Sequence, residues 1–145
     1  MATEIEILKA DLSTELPLEY ADGGVRAGFP GPAQDRVDRP LDLNRELVKH
    51  PESTFYAKVV GDSMVPTLHP DDIMVIDRAV QPYDGCIAVV TVNGEFTVKE
   101  LDLKQRNRGV INLIPHNKRY NVIKVCDGEQ FEVWGIVRYV IHETR

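Results

Sequence analysis

Asn93-Gly94, set between the apolar runs Cys86–Val92 and Glu95–Leu101, restricts how this chain can fold more than any other feature. Both residues tolerate positive φ, which a two-residue turn matching the twist of its strands requires. The pair therefore predicts a tight antiparallel hairpin. Neighbouring segments fall into the same pattern. Thr54–Val60, Ile73–Asp77, Val110–Ile114, Asn121–Val125 and Phe131–His142 read as further strands, punctuated by Pro70-Asp71-Asp72, Tyr83-Asp84-Gly85 and Asp127-Gly128. Short strands at this spacing predict a mostly β fold, a twisted antiparallel assembly of barrel-like sheets. Ahead of them, Asp42 caps a short predicted helix, Leu43–Lys49, that stops before Pro51.

The front of the chain has a different texture. Ile5, Ile7 and Leu8 form a small apolar cluster, after which Pro17, Gly23, Gly24, Gly28, Pro30, Gly31 and Pro32 interrupt any period. Residues 1–40 are expected to be a flexible arm, and residues 41–145 a folded domain. The arm leaves no room for the amphipathic helices of a helix-turn-helix module. It is also acidic: residues 1–27 carry −4 of the net charge of −6. That balance argues against tight binding to a nucleic-acid backbone, which needs a basic face.

The longest apolar stretch, Cys86–Val92, is too short to cross a bilayer, and the first residues lack the pattern of a signal peptide. A cytoplasmic location is the expectation. Cys86 and Cys126 are far apart, have no metal-ligand spacing, and read as reduced thiols. Asp71 and Asp72 look like a solvated turn, and no constellation in the sequence suggests a metal or another cofactor.

Three short pieces carry possible chemistry. Gly61-Asp62-Ser63-Met64 follows the predicted strand Thr54–Val60 and precedes a turn at Pro66. A serine there is held by rigid backbone, with N–H groups available to a developing oxyanion, although turn serines are commonplace. Val65 stands where the nucleophile elbow of α/β-hydrolases has its second glycine, so that plan is excluded. Lys99 lies on the predicted strand Glu95–Leu101, sharing a face with Thr97 and Leu101. It is either a solvated strand lysine or, if buried beside Ser63, an amine that desolvation favours in its neutral form. Ser-Lys pairs are an established variant of the serine nucleophile. Ala27-Gly28, two small residues in the breaker-rich arm, is either plain linker or a bond that a nucleophile can approach closely. None of His50, His69, His116 and His142 is selected by its spacing as a better partner for the serine.

Taken in order, these pieces resemble one family. Gly28-Phe29-Pro30, Leu41-Asp42-Leu43-Asn44, His50-Pro51, Gly61-Asp62-Ser63-Met64, Gly94-Glu95-Phe96-Thr97-Val98-Lys99, Leu113-Ile114-Pro115-x-Asn117 and Phe131-x-Val133-x-Gly135-Ile136-Val137 resemble the self-cleaving Ser-Lys peptidases related to LexA repressors. Within that family the likeness is greatest to the UmuD-type mutagenesis proteins. The resemblance implies Ser63 as nucleophile, Lys99 as general base and Ala27–Gly28 as the bond cut. It further implies homodimers, cleavage stimulated by RecA filaments on single-stranded DNA in the SOS response to DNA damage, and service to a Y-family (UmuC-like) polymerase subunit in translesion synthesis. The sequence departs from close relatives in two places: Ala27 replaces a cysteine found in some, and the Met64–Asp72 loop lacks their longer, glycine-bearing form.

Two rival likenesses exist. Ser63-Met64-x-Pro66-Thr67-Leu68 is similar to bacterial signal peptidases, which carry a membrane anchor that no segment here provides. A LexA-like transcriptional repressor or antirepressor shares the peptidase domain but joins it to a DNA-binding domain, for which the acidic arm is unsuited.

Overall fold

The computed structural model describes residues 5–9, 17–20 and 39–144. Ten strands run in chain order: β1 Ile5–Lys9, β2 Pro17–Tyr20, β3 Arg39–Asp42, β4 Thr54–Val59, β5 Ile73–Asp77, β6 Ile87–Val92, β7 Glu95–Asp102, β8 Val110–Ile114, β9 Ile123–Cys126 and β10 Phe131–Ile141. One short helix, α1 (Leu43–Leu47), follows β3. The Asp42 carboxylate caps it, accepting from the Asn44 N–H at 3.1 Å. Strands β2 and β3 pair antiparallel and belong with α1 to a unit of their own, Asp11–Lys49.

The main sheet has eight strands in the order β1-β4-β5-β10-β6-β7-β8-β9, every neighbouring pair antiparallel. It curls, so that Cα atoms of β1 come within 8 Å of β7. The mostly β, antiparallel expectation holds, and all seven strands read from the sequence are present with ends shifted by at most two residues. The hairpin at Asn93-Gly94 forms as the dipeptide predicts. Both residues take positive φ, +50° and +83°, and Val92 pairs with Glu95 directly across the turn.

Alternation along the central strands explains the core. On β6, Ile87 and Val89 face one apolar cluster, while Ala88, Val90 and Val92 face a second. On β7, Phe96 and Val98 join the first, and Leu101 joins the second. Strand β10 divides likewise, with Trp134 and Val137 on one side and Val133 and Ile136 on the other. Both faces of these strands thus meet an apolar cluster, which explains the near-continuous apolar run of β6. Ala57, Val59, Met74 and Ile76 of β4 and β5 complete the first cluster, and Leu113 and Val125 of β8 and β9 the second. Trp134 is half-buried against the first cluster: Phe55 and Phe96 meet it edge-on, and the Arg78 guanidinium sits 4.5 Å from its ring centre.

The turn at Pro70-Asp71-Asp72 departs from expectation. Asp71 is exposed, with φ of +74°, but Asp72 is buried rather than solvated. Its two oxygens accept from the His69 N–H and face the His142 ring, and these contacts replace water.

Both cysteines are free, Cys86 buried in the second cluster and Cys126 exposed. Burial pushes the Cys86 thiol up from its ordinary range, so it stays protonated where an exposed thiol begins to ionise. Alkylation of the native protein at about pH 8 should therefore modify Cys126 promptly and leave Cys86 untouched until the chain is unfolded. Peptide mapping by mass spectrometry reads the outcome directly.

Candidate active site

Strand β4 ends at Val59, and the chain then makes a tight turn carrying Ser63. Gly61 takes φ of +103°, a region open to glycine and closed to most side chains, and this redirects the backbone into the turn. Beyond it, Val65 N–H donates to the Asp62 carbonyl at 3.2 Å and Leu68 N–H to the Met64 carbonyl at 2.9 Å. Met64 and Leu68 plug into the first apolar cluster and fasten the turn from below. Val59 closes the far end, donating to the Asp72 carbonyl and accepting from the Asp71 N–H at 2.9 and 2.8 Å. Ser63 is thereby fixed at 4% exposure.

Strand β7 delivers Lys99, which is 3% exposed. The hairpin register sets Lys99 directly opposite Ala88 on β6, whose methyl side chain leaves room beside it for the long lysine stem. The Lys99 Nζ donates to Ser63 Oγ at 2.9 Å, to Thr97 Oγ1 at 2.7 Å and to the Val98 carbonyl at 3.2 Å. An ammonium has three N–H bonds to direct at such acceptors. A serine and a lysine 36 positions apart in the sequence thus meet in a site shielded from water.

A second layer holds the serine turn from outside. Asn117, just past β8, donates its backbone N–H to the Ser63 carbonyl at 2.9 Å and its side-chain amide to the Asp62 carbonyl at 3.0 Å. The Tyr120 hydroxyl donates to the Asp62 carboxylate. His116 links Thr67, in the same turn, to Glu100 on β7, with 3.0 Å between Nε2 and the carboxylate. In the sequence Asn117 belongs to the Leu113-Ile114-Pro115-x-Asn117 motif and has no role assigned by it; its one local signal is the polar cluster Asn117 to Asn121 following an apolar strand.

Of the residues expected at the site, the structure brings Ser63 and Lys99 together. Ala27 and Gly28 lie outside the described residues. Each histidine is set against a carboxylate: His50 against Asp77, His116 against Glu100, and both His69 and His142 against Asp72. No helix among the described residues is long and apolar enough to cross a membrane.

Residues 19–138 match the Peptidase S24-like family. The chain is 42% identical to protein SamA of Salmonella typhimurium over 82% of its own length and 81% of that protein. To protein MucA of Escherichia coli it is 37% identical over 82% of its length and 80% of that protein. A LexA repressor of Paracidovorax citrulli is 32% identical over 84% of the chain, which spans 53% of that longer protein. The resemblance to the UmuD-type, LexA-related proteins therefore holds.

Removing the Asn117 side chain tests the outer layer. Asn117→Ala should destabilise the fold by about 1–2 kcal/mol, the cost of leaving the Asp62 carbonyl without this donor. Urea unfolding should show a lower midpoint with an unchanged slope.

Proposed function

The chain belongs to the Peptidase S24-like family, and from that premise we propose that Ser63 and Lys99 form a catalytic dyad cutting the chain's own Ala27–Gly28 bond. The observation that carries this reading is the 2.9 Å hydrogen bond between the buried Lys99 amine and the Ser63 hydroxyl. In the resting site the lysine spends one N–H on Ser63. Once it loses a proton, its two remaining N–H bonds can stay on Thr97 Oγ1 and the Val98 carbonyl. The freed lone pair then faces the Ser63 hydroxyl. Thr97 is in this sense a positioning residue.

The chemistry follows from that arrangement. Ser63 Oγ attacks the Ala27 carbonyl carbon as its proton passes to Lys99 Nζ. Backbone N–H groups at the strand-to-turn junction are the donors such an oxyanion needs. As the C–N bond breaks, the Lys99 ammonium returns the proton to the Gly28 nitrogen. Water, deprotonated by Lys99, then hydrolyses the ester on Ser63. The peptidase works once, as a switch.

The switch serves the SOS response. The chain is a cytoplasmic accessory subunit of an error-prone translesion polymerase, homodimeric, and cut when it meets a RecA filament on single-stranded DNA. Trimming removes the arm segment 1–27, with its charge of −4. The remainder joins a Y-family, UmuC-like catalytic subunit. Three features support the reading: the likeness to SamA and MucA, the acidic arm, and the net charge of −6.

Intact-mass measurement after incubation with activated RecA should find fragments 1–27 and 28–145, and Ser63→Ala should give neither. Cleavage by Ser63→Ala, or a product starting elsewhere than Gly28, overturns the assignment. Spontaneous cleavage should rise with pH and level off once the Lys99 amine is neutral. Lys99→Ala and Lys99→Arg should both abolish it, because a guanidinium keeps its proton. A profile flat between about pH 7 and 10, with Lys99→Ala still active, excludes the lysine as base.

Thr97→Val separates positioning from catalysis. The variant keeps the strand shape but loses one acceptor of the amine, so cleavage should slow by about tenfold, the equivalent of one hydrogen bond. The rate should still rise with pH. An unchanged rate removes Thr97 from the machinery.

A further inference from the structure

We propose that His69, Asp72 and His142 form a binding site for a borderline divalent transition-metal ion, of which zinc is the first to test. The site stands apart from Ser63 and Lys99 and does not depend on their roles. One nitrogen from each imidazole and one Asp72 oxygen lie within 4.8 Å of one another. His69 and Asp72 share one loop, and His142 comes from the segment just after β10, 70 positions beyond Asp72.

Charge makes this cluster unusual. The Asp72 carboxylate is 3% exposed, and its ion-pair partners among the described residues are imidazoles alone, His142 Nδ1 at 2.6 Å and His69 Nδ1 at 3.9 Å. The two rings lie 4.8 Å apart between centroids, tilted by 35°. A divalent ion here would be held by the buried carboxylate and two neutral rings, the form in which histidine ligates.

The donor set fits the same class of ion. Two imidazole nitrogens and one carboxylate oxygen suit zinc and its neighbours, whereas calcium and magnesium prefer oxygen throughout. Tetrahedral coordination at ordinary zinc distances separates ligand atoms by about 3.3 Å. His142 Nδ1 lies 2.6 Å from one Asp72 oxygen and His69 Nδ1 lies 3.9 Å from the other, so the two rings flank the carboxylate. The histidine side chains are 40% and 47% exposed, so rotation of partly free rings closes the difference without moving the buried carboxylate. Asp72 and His142 also line a pocket of about 350 Å³ with Pro70, Asp71 and Glu143, from which water or a further carboxylate could complete the coordination. Bound metal would tie the loop that follows Ser63 to the end of β10.

The test uses the full purified chain, stripped with a chelator. Zinc is titrated in competition with a chromophoric chelator, and cobalt(II) serves as a spectroscopic probe. One equivalent should bind, and His69→Gln and His142→Gln should each weaken binding at least tenfold. Cys126→Ser should leave it unchanged. Zinc should raise the melting temperature of the parent chain and not that of the double histidine variant, a readout that separates metal binding from a merely structural ion pair. The proposal is overturned if the parent chain binds no zinc, if the double variant binds as tightly, or if the cobalt spectrum carries a thiolate charge-transfer band.

Discussion

A lysine amine buried as deeply as Lys99 must find its acceptors inside the protein, because leaving a buried charge unsatisfied costs several kcal/mol (about 2–7 even for a neutral polar group). Much of the surrounding architecture follows from meeting that demand. Strand β7 packs against both apolar clusters and Lys99 is 3% exposed, so its amine does not reach solvent. Ala88 across the strand makes the space, Thr97 and the Val98 carbonyl take two N–H bonds, and the turn at Gly61 carries Ser63 to the third. The turn is held in turn by Met64 and Leu68 in the core and by Asn117 from outside. Displacing Ser63 or Thr97 takes an acceptor from the buried amine, which makes the site and the fold interdependent.

Local rules made the strands legible. Asn93-Gly94 and Asp127-Gly128 encode turns through backbone sterics acting over two residues, and the strand ends between them were readable to within two positions. Counting back from the hairpin even places Lys99 opposite Ala88, a small residue whose meaning emerges only when burial is known. Long-range pairing was not encoded in this way. Nothing local says that β10 inserts between β5 and β6, or that Ile5–Lys9 pairs with β4 at the sheet edge. Those choices depend on which apolar faces remain uncovered once the hairpins have formed.

The site was legible for a different reason. Ser63 and Lys99 each look ordinary alone, and their meeting is a property of the folded sheet. A resemblance spread over several motifs linked them before the geometry did. The His69, Asp72 and His142 cluster had no such help, since its members come from segments 70 positions apart and share no ligand spacing. Asp72 was misread for the same reason: an Asp-Asp pair in a turn looks solvated until the segment after β10 covers it.

The loop from Ser63 to Asp72 joins both clusters, and its attachments differ in strength. Near Ser63 it is pinned by buried apolar side chains and by hydrogen bonds from Asn117. Its middle is held by the more exposed link from Thr67 through His116 to Glu100. At the far end the backbone bonds to Val59 are joined by the histidine contacts to Asp72. A peptide bond entering the Ser63 site needs the first attachment rigid, since a near-attack geometry tolerates little displacement. The outer attachments are where the loop can yield without spoiling the dyad. Pro66 and Pro70 restrict the loop before it folds, so it has less conformational entropy to lose, and the side-chain anchors at its far end have correspondingly less ordering to supply.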